Sequence, residues 1–385
     1  MAGSASWDAV PGMPPFREND LPWISSAAEA GAITDARGCF FATAQRLLAM
    51  EPGKTWPALD FVLRHALTGG GLLVLVSWGS MALGAALAYL FQAPAEPRKS
   101  LRGFLRFCFP AEMFRHRSVR VDVAFVAVAW VIDKLLIVPA LLSNGAVTFA
   151  AWSAMQGVLG AREGGSQGWW SWAALLVGSV VFQDFVNFFR HYLEHKVPAL
   201  WEFHKVHHSA EFLVPLSNRR QHPGERFMEL MSGAVVVGAF IGLACYLLGL
   251  PPTETVLMGM DAYFLCDVLS FYQLRHSHIA LSFGRFERYV MSPAQHHLHH
   301  SCEVRDWDVN FGTFLAVWDR LFGTFRPTDT QYRFRMGLGP EEQGRYDSVP
   351  KLLAAPFLGL WRMFGARRRP APGMAPMAGS MEGGD

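Results

Sequence analysis

All but two of the 14 histidines in this chain, His65 and His116, lie between His191 and His300. His191-Tyr-Leu-Glu-His195 sets two imidazoles four residues apart, which on a helix puts them on one face, about 6 Å apart along the axis. His204-Lys-Val-His207-His208 and His296-His297-Leu-His299-His300 each repeat the three- and four-residue spacings of helical neighbours. His222, in Arg220-Gln221-His222-Pro223, and His276 stand between these groups. Burying so many imidazoles together is costly unless they coordinate metal. A closed structural zinc site takes four ligands and favours cysteine. Eight or more histidines without cysteine therefore imply two metal ions with open coordination positions. Imidazole suits iron, copper, nickel and zinc alike, so ligand type leaves the metal open. His278 and His297 read as residues outside the ligand set, and His65 and His116 belong to no group.

Holding these groups in place is the task of a very apolar chain. Its 385 residues are 51% hydrophobic and only 17% charged, against about 25% charge in soluble domains. Uncharged stretches at 66–95, 135–161 and 230–253, and an apolar run at 169–189 whose one charge is Asp184, approach or exceed the roughly 20 residues that cross a bilayer. After Gly249-Leu250-Pro251-Pro252, a tight reversal, 255–274 reads as a return crossing despite Asp261 and Asp267, acids whose cost inside a span points to function or to a wet cavity. Arg98, Lys99, Arg102, Arg106, Arg115, Arg117 and Arg120 fall between the first two spans and place that loop, by the positive-inside rule, in the cytoplasm. Counting crossings onward puts 190–229 and everything after about 275 on the same side.

The expectation is an all-α polytopic membrane bundle of four to five spans, with a cytoplasmic helical cap carrying a histidine-rich dimetal site. Its parts are a polar or interfacial segment at 1–60, membrane spans at 61–165, the histidine-bearing region at 166–330 and a tail at 331–385, partly disordered. Phe40–Met50 could form a short interfacial helix.

Several functions are excluded at this stage. A net charge of +2 and no basic stretch interleaved with aromatics argue against nucleic-acid binding. The five cysteines form no CxxC pair and read as reduced thiols. Neither a nucleotide-binding glycine motif after a strand nor a four-cysteine cluster pattern is present. Reducing equivalents must then come from a separate ferredoxin, cytochrome or reductase.

The order HxxxH, HxxHH, HxxHH in a multi-span chain resembles the fatty acid hydroxylase / sterol desaturase superfamily of membrane di-iron oxygenases, and within it the alkylglycerol monooxygenase-like and bacterial sterol desaturase-like members. Asp184, Leu200-Trp201, Ser209, Ser292-Pro293, Asn310-Phe311-Gly312 and the run from Trp318 to Phe325 agree with that pattern over roughly 170–326. Tyr192, where an arginine is usual, and Gln221, where sterol-acting members often carry an aromatic, depart from it.

The resemblance implies that His191, His195, His204, His207, His208, His296, His299 and His300 bind two irons, joined by His276 and, in some branches, His222. Asp184, two helical turns before His191, could hold a ligand imidazole or pair with Arg190. The implied reaction is hydroxylation of an aliphatic C–H of a lipid with O2 and two external electrons, at the cytoplasmic face of a bacterial inner membrane. Arg190, Lys196, Lys205, Arg219, Arg220 or Arg275 would then hold the lipid head. Two alternatives stay open: a lipid, sterol or carotenoid desaturase on the same site, and a zinc- or copper-binding membrane protein without oxygenase activity.

Overall fold

The computed structural model describes residues 69–91, 100–137, 144–161, 168–252, 263–329 and 334–366. Phe40–Met50, His65 and Asp261 lie outside them. The helices, in chain order, are α1 (Gly69–Phe91), α2 (Leu101–Cys108), α3 (Ala111–Arg115), α4 (Arg117–Ile132), α5 (Asn144–Leu159), α6 (Trp169–Lys196), α7 (Pro198–His208), α8 (Pro223–Met231), α9 (Gly238–Leu248), α10 (Pro293–His299), α11 (Val317–Phe322), α12 (Pro340–Gln343) and α13 (Val349–Ala366). A π-helical segment, Ser232–Val237, joins α8 to α9 without a break. Among the described residues β-structure is limited to two isolated bridges, Val290 with Leu315 and Ser301 with Met336. The chain is all-α.

Among the described residues, three helices are long and apolar enough to cross a membrane: Val74–Phe91, Trp169–Lys196 and Pro223–Leu248. Their large apolar side chains point outward, among them Trp78 and Leu83 on α1, Val177 on α6 and Leu247 on α9. Such a surface suits lipid contact and would be an aggregation liability in water. The expected crossing at 135–161 is represented by α5, which has 16 residues. The expected return at 255–274 falls partly outside the described residues.

Small residues decide how α5 meets α9. A Cβ added at Gly242 would overlap the Thr148 carbonyl oxygen and the Ala151 side chain. The Thr148 hydroxyl donates to the Gly238 carbonyl at 3.1 Å. In an apolar medium, close backbone approach and such hydrogen bonds take the place of the hydrophobic effect. Beside this pair, Leu175 and Val186 of α6 pack with Val237, Ile241 and Cys245. Gly249 ends α9 in the left-handed conformation, at φ 69°, immediately before the expected reversal.

The polar part of the molecule is pinned by Arg220. Its guanidinium is fully buried and pairs with Asp122 of α4 at 2.5 Å. It also donates to the Val206 carbonyl at 3.1 Å, the Ser209 hydroxyl at 2.7 Å and the Tyr346 carbonyl at 3.0 Å. A buried charge is tolerable when its donors are matched in this way. One side chain thereby ties the end of α7 to α4 and to the loop before α13.

Candidate metal centre

The first histidine pair rides the last turns of α6. The helix stops at Val197, whose backbone N–H bonds back to the Leu193 carbonyl, and α7 restarts at once with Pro198 in its first turn. This break folds the second histidine group against the first. A third helix, α10, begins with a reciprocal cap between Ser292 and Gln295 and is buried throughout.

The histidines segregate into two clusters. His191, His195, His204, His208 and His299 bring their ring nitrogens together in one, and His207, His276, His296 and His300 in the other. In the first, Nε2 of His204 lies 3.1 Å from Nε2 of His191 and 3.2 Å from that of His208, while His195 and His208 are 3.1 Å apart. In the second, the Nε2 separations are 3.0 Å for His207 and His276, 3.1 Å for His276 and His296, and 3.1 Å for His296 and His300. Each of α7 and α10 serves both, because side chains three and four residues apart fan to either side of one face. The clusters touch where the rings of His208 and His300 stack at 4.5 Å.

The outer ring nitrogens fix the tautomers of the first cluster. Nδ1 of His191 donates to the Phe311 carbonyl at 2.9 Å, and Nδ1 of His299 to the Val309 carbonyl at 2.8 Å. Nδ1 of His204 donates to Glu225 at 2.9 Å, and Nδ1 of His195 faces the Asp308 carboxylate at 3.4 Å. A proton on Nδ1 leaves Nε2 with its lone pair, so four lone pairs converge. Lone pairs repel unless a cation sits among them. Nε2 of His299 is buried and has no hydrogen-bond partner among the described residues. The donor set therefore fits a metal ion at each cluster.

Three of those outer contacts come from one short loop. Asp308 and Asn310 both take positive φ, 60° and 57°, which costs on the order of 1 kcal/mol apiece and brackets Val309. Asp319 holds one side of the loop by accepting from the Phe311 and Gly312 amides, each at 2.8 Å. Asp184 holds the other side, accepting from the Phe314 amide at 2.8 Å, the Leu315 amide at 3.0 Å, the Trp318 indole at 2.9 Å and the Tyr263 hydroxyl at 3.0 Å.

Burial keeps the imidazoles neutral, as metal ligands must be. Desolvation pulls His207 down to about 4. It holds His204, His208, His276, His296, His299 and His300 well below the ordinary histidine value, with neighbouring imidazoles adding to the effect. Asp308 is also lowered, to about 2, through its hydrogen bond to His195 and then its contact with Lys196, which favours its charged form.

Nine of the ten histidines expected from the sequence thus meet, and His222 does not. Its Nδ1 accepts from the Gly224 amide at 3.0 Å, capping α8, and its Nε2 faces the Leu353 carbonyl at 3.2 Å. Both nitrogens are spent, so His222 acts only by orienting the helix that carries Glu225. Asp184 is also corrected, since it touches neither an imidazole nor Arg190. Arg190 pairs instead with Glu194 at 2.6 Å. Arg220 and Arg275 are buried, and Lys196 and Lys205 are engaged by Asp308 and Glu202. Of the basic residues expected to meet a lipid head, Arg219 remains exposed. The sequence reading passed over Glu194, Glu225 and Asp308. The spacing of Glu194 from His191 was a usable signal, whereas Glu225 and Asp308 come from other segments.

Nine buried or half-buried histidines in two clusters that could each hold a metal ion, beside helices long and apolar enough to cross a membrane, define the site. Residues 176–324 match the model of the fatty acid hydroxylase family. The chain is 28% identical over 165 residues to ornithine lipid hydroxylase OlsE of Rhizobium tropici, covering 42% of this chain and 46% of that protein. It is 26% identical over 156 residues to human alkylglycerol monooxygenase, covering 40% and 31%. It is 29% identical over 153 residues to human cholesterol 25-hydroxylase, covering 39% and 50%. The match spans half or less of each relative's length. No solved structure matches the chain.

Proposed function

We propose that this chain is an O2-dependent lipid hydroxylase, an oxidoreductase of the membrane. The observation that carries this reading is the pair of touching histidine clusters with lone pairs aimed inward, in a segment whose relatives are named as lipid hydroxylases and monooxygenases. His191, His195, His204, His208 and His299 would hold one iron, and His207, His276, His296 and His300 the other. Two irons so held would supply the activation of dioxygen. In the net reaction one oxygen atom enters a C–H bond of the lipid and the other leaves as water, with two electrons and two protons from outside.

The protein's own contribution is positional. The 308–311 loop and Glu225 hold Nδ1–H groups and so present Nε2 lone pairs in a fixed direction. Arg220 and Asp122 fix the end of α7, and burial keeps water from the reacting region. The clusters lie at the C-terminal end of α6 and on α7 and α10, beyond the apolar parts of the long helices. That placement favours an enzyme working at the membrane surface over a transporter with ligands at the bilayer midplane. The reading also places this face in the cytoplasm of a bacterial inner membrane, where a separate ferredoxin, cytochrome or reductase would deliver electrons. In domain terms, 166–330 is the catalytic part, 61–165 supplies spans, and 1–60 and 331–385 flank them.

The test is mass spectrometry of lipids from iron-fed cells expressing the wild-type chain or His299→Ala, under heavy-isotope dioxygen. The expected result is a lipid that gains one labelled oxygen atom only with the wild type. A product lacking two hydrogens and bearing no label would overturn hydroxylation in favour of desaturation.

A further inference from the structure

Resting on that reading, the cavity beside the first cluster identifies the part of the lipid that meets the site. It has a volume of about 400 Å³ and lies among α1, α6, α8 and the helical stretch 263–269. On α6 it is lined by Asn187, one turn and about 6 Å of rise before His191. Thr313 lines it two residues after Phe311, whose carbonyl accepts from His191 Nδ1. Its walls run along the clamp that orients His191.

The lining is polar although three of its walls belong to membrane-crossing helices. Most of these groups already have partners. Gln273 donates to the Ser77 hydroxyl at 3.0 Å, the Tyr272 hydroxyl donates to Asn218 at 3.2 Å, and Asn187 donates to the Tyr263 hydroxyl at 3.0 Å. Two groups are exceptions: Arg190 keeps a buried Nε with no hydrogen-bond partner among the described residues, and Asp267 is the acidic one. Its Oδ1 is buried without a hydrogen-bond partner among the described residues. An unpaired carboxylate oxygen facing an alkyl chain would be heavily penalised, whereas a group with N–H donors would relieve it. Arg219, exposed on a different wall of the same cavity, offers the complementary positive charge.

We infer that this cavity binds a zwitterionic lipid headgroup, with a primary ammonium on Asp267 and an anionic group toward Arg219, so that the carbon oxidised lies in or next to the headgroup. A sterol or a bare hydrocarbon tail would leave Asp267 uncompensated.

The experiment measures binding of short-chain phosphatidylethanolamine and phosphatidylcholine to the purified full-length protein in detergent. The two lipids carry the same phosphate and the same formal charges and differ in whether the nitrogen bears N–H donors. Expected is at least tenfold tighter binding of the ethanolamine lipid, an advantage that Asp267→Asn removes and Asp267→Glu partly restores, with iron content and melting temperature unchanged. Equal binding of the two lipids, or a preference that survives Asp267→Asn, overturns the assignment. Fragmentation of the oxygenated product adds a second arm: oxygen in the headgroup fragment supports it, and oxygen in the acyl fragment overturns it. If selective binding fails while a labelled hydroxylated lipid still forms, the headgroup site is wrong and the hydroxylase stands. If selective binding holds and the iron-loaded enzyme oxidises no lipid, the site stands and the hydroxylase reading falls.

Discussion

The two histidine clusters are built from the same ligand type yet supported differently. In the first, four ligands send Nδ1 to an acceptor: two carbonyls and a carboxylate on the 308–311 loop, and Glu225 on α8. In the second, Nδ1 of both His276 and His300 is buried with no hydrogen-bond partner among the described residues. An unmet buried donor costs about 1–3 kcal/mol. Orientation in the second cluster therefore comes from packing, with His300 fully buried and stacked on His208. The lesson is that the first cluster is held by hydrogen bonds that fix its tautomers, whereas the second leans more on packing.

The largest effect expected is from removing a ligand. His299→Ala or His296→Ala should abolish turnover and cut bound iron from two per chain to one or none, read by elemental analysis, with membrane insertion intact. Equal iron content in either variant breaks the assignment. Next, Asp319→Ala frees the amides of Phe311 and Gly312 and loosens the loop. It should weaken one of the two irons by about 10–100-fold in chelator competition and spare the other. If both irons weaken alike, the two clusters are one mechanical unit and the contrast fails.

A pH titration sharpens the contrast further. His207 falls to about 4 in the folded state, against about 6.5 when unfolded. Between those values the unfolded chain binds more protons, so stability is complete above pH 6.5 and declines as pH drops toward 4. Iron release and loss of the fold should follow that window together, by absorbance and circular dichroism.

Two smaller effects lie away from the ligands. Gly242→Leu forces α5 off α9 and should cost about 1–3 kcal/mol of stability, seen as a lower melting temperature with iron per folded chain unchanged. His222→Asn keeps a side chain able to cap α8. It should retain both irons and most activity, whereas His222→Ala should cost about 1 kcal/mol. Loss of one iron in His222→Asn would restore His222 to the ligand set.

The sequence by itself determined which histidine groups could come together. Spacings of three and four make a helix present imidazoles on one face whatever lies around it, so the three groups and the dimetal reading were legible, as was the all-α membrane architecture from uncharged runs. His276 followed from its resemblance to a family position. What only the tertiary structure decided is the sorting of ligands into a five and a four, because adjacent His207 and His208 part company according to what α10 and the 276 turn bring opposite them. It also decided the part played by Asp184, which the helical pattern placed beside His191 but which reaches the loop 130 residues away. Local periodicity fixes which face a side chain takes, whereas its partner depends on long-range packing that no spacing encodes.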